Sequence, residues 1–129
     1  MGNTHPARPI KTFRDLYAWE EGHKLVLAVY DVTQRFPSKE SYALTNQMRR
    51  AATSITSNIA EGFSRRGQKE KTQFYSMALG SLTELQNQIF IAKDVGYIDD
   101  VIAKDLNMQS VTVHKLLNGL IKATKTLNS

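Results

Sequence analysis

The sequence contains no cysteine, which excludes disulfides, iron–sulfur clusters and thiolate zinc sites and agrees with a reducing compartment. A cytoplasmic location is the default expectation. No apolar run approaches the roughly 20 residues that cross a bilayer, and the first fourteen residues lack an apolar signal core, so no membrane partner is expected. The three prolines stand at 6, 9 and 37, leaving the rest of the chain free of proline bends. Histidine is also scarce: His5, His23 and His114 are far apart, and none has the i, i+4 spacing of a metal-binding pair. The paired inward Glu-x-x-His motifs of di-metal bundles are missing, as are a Gly-rich phosphate loop, a nucleophile elbow and a dinucleotide fingerprint. The sequence therefore gives no catalytic residue, no cofactor and no metal site.

What is present is a 129-residue chain, 41% hydrophobic, with 17 Lys and Arg against 12 Asp and Glu, a net charge of +5. That length fits one domain, which at this size buries about two thirds of the surface its unfolded form exposes. The moderate basic excess favours encounter with a polyanion. Residues 1–11, with Gly2, Pro6 and Pro9 and almost no large apolar side chain, read as a flexible tail before a domain over 12–129.

Helical spacing dominates that domain. Thr12-x-x-Asp15 resembles a capping box opening a helix over roughly 13–35, whose stripe is Leu16, Trp19, His23, Val26, Tyr30 and Thr33, widened by Leu25, Val29, Val32 and Phe36 and closed by Phe36-Pro37. Ser41 is suited to cap a second helix with the stripe Leu44, Met48, Ala51, Ile55, Ile59 and Phe63. Thr-Ser-Ile-Thr-Ser within it alternates like a strand. The helical phase holds for about five turns, however, and no neighbouring segment offers a strand to pair with. Gly62 and Gly67 bracket an expected turn. Gly67 then starts a third helix along Phe74, Ala78, Ser81, Leu85, Ile89 and Ala92, a face broadened by Tyr75, Leu79 and Leu82, ending at Asp94-Val-Gly96. Asp99 caps a fourth, in which Ile102, Leu106, Val113, Leu116, Leu120, Ala123 and Leu127 keep a heptad phase, with Lys122 and Lys125 near its carbonyl end. Four amphipathic helices joined by short links make an all-α, antiparallel up-down-up-down four-helix bundle.

Several runs carry a further signal: Phe13-x-Asp15-Leu16-x-x-Trp19, Val29-Tyr30, Phe36-Pro37, Gln47-x-Arg-Arg-Ala-Ala-x-Ser-Ile55, Ser57-Asn-Ile-Ala-Glu-Gly62, Ala78-Leu-Gly-Ser81 and Gly96-Tyr-Ile98. In that order and spacing they resemble the four-helix-bundle proteins encoded by intervening sequences of large-subunit ribosomal RNA, over about residues 11–100. The pattern is also similar to the accessory variability determinant of diversity-generating retroelements, a bundle that assembles into a basic pentamer and associates with nucleic acid and a reverse transcriptase. The resemblance implies the fold, a homopentamer of this chain, and RNA, DNA or a reverse transcriptase or other protein as partner. Where such proteins often carry Ile-Pro-x-Asn this chain has Ile55-Thr-Ser-Asn58, and Gly67 stands where a hydroxyl residue often caps the third helix.

Two sets of residues are candidates for function. Arg49, Arg50, Arg65, Arg66, Lys69 and Lys71 concentrate positive charge around the second helix and the turn after it. Arg49 and Arg66 lie roughly 25 Å apart on a helical rise, so the arginine pairs mark two places. They either bind nucleic-acid phosphates, repeated around a ring of subunits, or make structural salt bridges. The second set is Asn58, Glu61 and Gly62, beside a ridge of small residues, with Gly80 in the third helix; these positions suit a close helix or subunit contact. Glu61 has no carboxylate or histidine within a turn to make it a general base.

Overall fold

A computed structural model describes residues 7–127. His5 and residues 1–6 of the expected tail lie outside the described residues. Those described form four α-helices, α1 (Tyr17–Thr33), α2 (Leu44–Ser64), α3 (Gln68–Asp94) and α4 (Asp100–Leu127), and single 3-10 turns at Phe13–Asp15 and Ser38–Glu40, with no strand among them. Each helix packs against its chain neighbours and α1 closes on α4, giving an antiparallel four-helix bundle. Its centre is filled by fully buried Leu25, Met48, Ile55, Ile59, Leu85 and Leu106.

The Thr12–Asp15 capping box is formed, but it closes the 3-10 turn. Leu16 is extended (ψ 129°), and α1 begins after it. The core face of α1 is Ala18, Gly22, Leu25, Val26, Val29 and Thr33; Val26 and Thr33 of the expected stripe are inside, while His23 and Tyr30 are exposed. His23 stacks on Trp19 with ring centroids 4.8 Å apart. The face is turned because small residues let α2 come close: a Cβ on Gly22 would stand 3.1 Å from Thr56 Cγ2. In α3 the buried aromatic is Tyr75 and not Phe74, which is half-buried. In α4 the core follows Leu106, Ser110, Val113, Leu117 and Thr124, leaving Leu116 and Leu120 half-buried and Ala123 exposed. Ala103, Ser110, Leu117 and Thr124 recur every seven residues, so the heptad phase holds, and this side of the seam lies one residue beyond the expected Ile102, Leu116 and Ala123.

Ser41 does not cap α2. The Glu40 carboxylate does, accepting the Leu44 N–H at 3.2 Å with Oε1 while Oε2 accepts the Tyr97 hydroxyl at 2.7 Å. With the Phe36 and Tyr97 rings 5.2 Å apart, this bond ties the α1–α2 and α3–α4 links together at one end of the bundle. The Tyr97 hydroxyl, then the Leu44 amide, hold the Glu40 carboxyl below its ordinary 4.5, and Glu40 in turn raises Tyr97 above 10.0. A lowered folded-state carboxylate contributes stability that is present above pH 4.5 and lost as the pH falls through the lowered value. Removing the hydroxyl by Tyr97→Phe is expected to lower the urea midpoint at pH 7. In urea melts the gap between wild type and variant should shrink at pH 3.

Gly96 is left-handed (φ 87°). It sits in a Schellman motif in which the Tyr97 N–H donates to Ala92 O at 2.9 Å and the Gly96 N–H to Lys93 O at 3.0 Å. Gly96→Ala should therefore lower stability by about 1–2 kcal/mol although the space around it is open, measurable as a lower urea midpoint.

Candidate nucleic-acid interface

The six predicted cations fall into two groups. Arg49 leaves α2 toward α1. Its Nε donates to Thr33 Oγ1 at 2.9 Å, its Nη2 to Tyr30 O at 3.4 Å, and the guanidinium lies 4.6 Å over the Tyr30 ring. Lys71 reaches back from α3 to the carbonyl end of α2, donating to Phe63 O at 2.7 Å and Gly62 O at 3.4 Å. Burial lowers its pKa. Arg65 pairs with Glu61 at 3.1 Å and lies 4.8 Å over the Phe74 ring. These three side chains are engaged within the chain.

Arg50, Arg66 and Lys69 are exposed. Among the described residues they make no ion pair or side-chain hydrogen bond. Arg50 differs from Arg49 because adjacent residues on a helix point about 100° apart.

Of the second candidate set, Asn58 and Gly62 lie in the α2–α3 contact. Ser54 and Ser81 share a 2.8 Å hydrogen bond, and the Asn58 amide donates to Ser54 O at 2.9 Å and Oγ at 3.1 Å. Gly62 does not end α2, which runs on to Ser64. Instead it leaves room for a ring, since a Cβ there would meet Tyr75 Cε1 at 2.7 Å and Cδ1 at 2.9 Å. Burial pushes the Tyr75 hydroxyl up to about 12. Glu61 is exposed, its partner Arg65 one turn on. Gly80 faces open space.

The fold also sorts the charge along the bundle axis. Gln68 Nε2 donates to Lys125 O at 2.7 Å, bringing the end of α4 to the α2–α3 turn. Arg65, Arg66, Lys69, Lys71, Lys122 and Lys125 thus share one end. The other holds Glu40, Asp94, Asp99 and Asp100, with Lys93 paired to Asp100 at 3.6 Å. The two α4 lysines were absent from the sequence-derived set, although residues 106–129 contain no Asp or Glu, a signal readable before any fold. On the outer surface of α3 and α4, Phe90, Ile91, Val95, Val101 and Met108 are exposed, and Phe90 borders a groove of about 270 Å³ with Lys93, Ala103 and Lys104. Among the described residues no cluster of three metal-binding side chains occurs and no helix is long and apolar enough to cross a membrane.

The family model described as 23S rRNA-intervening sequence protein matches residues 14–119. A crystal structure of a protein of unknown function from the S23 ribosomal protein family of Bacteroides thetaiotaomicron is similar in fold. Its TM-score is 0.76 at 19% identity, covering 81% of this chain and 95% of that one. No curated protein matches the sequence.

Proposed function

The chain belongs to the 23S rRNA-intervening sequence protein family, and from that premise we propose a non-enzymatic cytoplasmic homo-oligomer, a pentamer, that binds RNA or DNA phosphates as an accessory factor. The observation that carries the binding is the cationic end, where Arg66 and Lys69 are exposed and unengaged beside Lys125. Subunits assembled around an axis repeat that end and add up modest monomer charge, and each neutralised phosphate releases counterions. Assembly itself is supported by the exposed apolar side chains of α3 and α4.

The test is binding to a mixed-sequence duplex across a salt series. Log affinity should fall linearly with log salt, with a slope near −0.9 for each phosphate contacted. Absence of binding at about 50 mM salt, where such contacts are strongest, rejects the reading. Light scattering should give about five times the 14.6 kDa chain mass.

A protein-binding scaffold, with a reverse transcriptase or another protein as partner, is favoured by one observation. Arg49, Arg65 and Lys71 are spent on contacts within the chain. On that reading the exposed cations can be removed without changing any nucleic-acid affinity.

A further inference from the structure

We infer that the phosphate backbone lies in the groove between the first half of α3 and the last half of α4, held by Lys115, Lys122 and Lys125 of α4 and Lys69 of α3. This rests on the nucleic-acid reading above and adds a surface outside the α2 arginines. Two hydrogen bonds fix the register of the helices that form it: Gln86 Nε2 to Ser110 Oγ at 3.0 Å, and Gln68 Nε2 to Lys125 O at 2.7 Å. Residues 110–125 of α4 therefore run alongside residues 68–86 of α3.

Because Ser110, Val113, Leu117 and Thr124 point inward, Lys115, Asn118, Lys122 and Lys125 form one outward stripe at spacings of 3, 4 and 3. All four are exposed. From Lys115 to Lys125 the stripe covers about 15 Å, the reach of about three phosphate contacts on one strand. On the α3 side Lys69, Thr72, Gln73 and Ser76 share a face. Thr72, Gln73, Ser76 and Met77 line a shallow groove of about 440 Å³ with Lys125.

Acidic side chains are few on this surface. Residues 106–127 have no Asp or Glu, and residues 68–86 have only Glu70 and Glu84. Glu70 lies about a third of a turn from the Lys69–Ser76 face, and Glu84 accepts from Gln88 Nε2 at 3.4 Å. An anionic ligand therefore meets mainly lysines, hydroxyls and amides. Lysine acts as a compact point charge and binds phosphate without demanding a planar partner. The lining named here contains no aromatic ring on which a base would stack, so the contact is to backbone and independent of sequence.

The test uses the full-length protein, a fluorescent 20-base-pair RNA duplex of mixed sequence, and fluorescein-labelled polyglutamate of matched charge. Wild type is compared with a Lys115→Gln, Lys122→Gln, Lys125→Gln triple and an Arg50→Gln, Arg66→Gln double. The three lysines are exposed, so the triple should melt like wild type. It should bind the duplex at least tenfold more weakly at low salt, with a log–log salt slope shallower by about 2–3. If the triple binds like wild type while the double loses affinity, the groove is refuted and the nucleic-acid reading stands. If wild type does not bind the duplex at all, that reading fails and the groove falls with it. Polyglutamate binding as tightly as the duplex would overturn nucleic acid in favour of an acidic protein partner.

Discussion

Replacing Gly62 by alanine is expected to lower the melting temperature by about 4–12 °C, although alanine is the better helix former. The added methyl would stand 2.7 and 2.9 Å from two carbons of the Tyr75 ring and 3.0 Å from Phe74 Cβ. Tyr75 is 2% exposed, so its ring has no free volume into which it can swing. Overpacking of this kind costs about 1–3 kcal/mol, and in a domain of this length each kcal/mol moves the transition by about 4 °C. The contrast is Gly80→Ala, where the new methyl meets nothing. There the gain in helix propensity should raise stability by up to about 1 kcal/mol. Differential scanning calorimetry of the two variants separates a glycine needed for space from one that is not. A Gly62→Ala protein as stable as wild type would contradict the Tyr75 packing described here.

Arg49→Met is the second large effect, an expected loss of about 2 kcal/mol. Thr33, 2% exposed, spends its hydroxyl proton on Val29 O at 2.7 Å and receives the Arg49 Nε–H at 2.9 Å. A hydrogen bond from a charged donor is worth about 1.5–3 kcal/mol, and stacking over Tyr30 adds roughly 0.5 kcal/mol at a half-exposed site. Methionine keeps the apolar stem and removes the guanidinium, which confines the loss to its two hydrogen bonds and its stacking over Tyr30. The drop should be read as a urea midpoint shift at unchanged slope.

The bundle was legible in the sequence because its signals are redundant. The α2 stripe, the left-handed Gly96 and the caps at Gly67 and Asp99 each follow from one residue type in one local geometry. What was not legible depends on distance between helices. Hydrophobic periodicity favours large side chains, so Trp19, His23 and Tyr30 looked like the α1 core. The face that packs uses Ala18 and Gly22, whose value lies in the close approach they permit. Glu40 displaced Ser41 as the α2 cap because Tyr97, 57 residues away, holds its carboxylate in place. The candidate site divided for a similar reason. Arg49 and Arg50 are adjacent in sequence, yet helical rotation gives one to α1 and the other to solvent. Lys125 joined the cationic end only through a contact that α4 makes at full length.

This division between cations that hold the fold and cations free to meet a ligand decides what each substitution does. Its most direct measurement is a crossed comparison of Arg49→Met with an Arg50→Gln, Arg66→Gln, Lys69→Gln triple, each assayed by melting and by duplex binding at low salt. The triple should melt like wild type and bind at least tenfold more weakly, while Arg49→Met melts earlier and keeps its affinity. A triple that loses stability or assembly with binding intact, or an Arg49→Met protein that loses binding at unchanged stability, would contradict it.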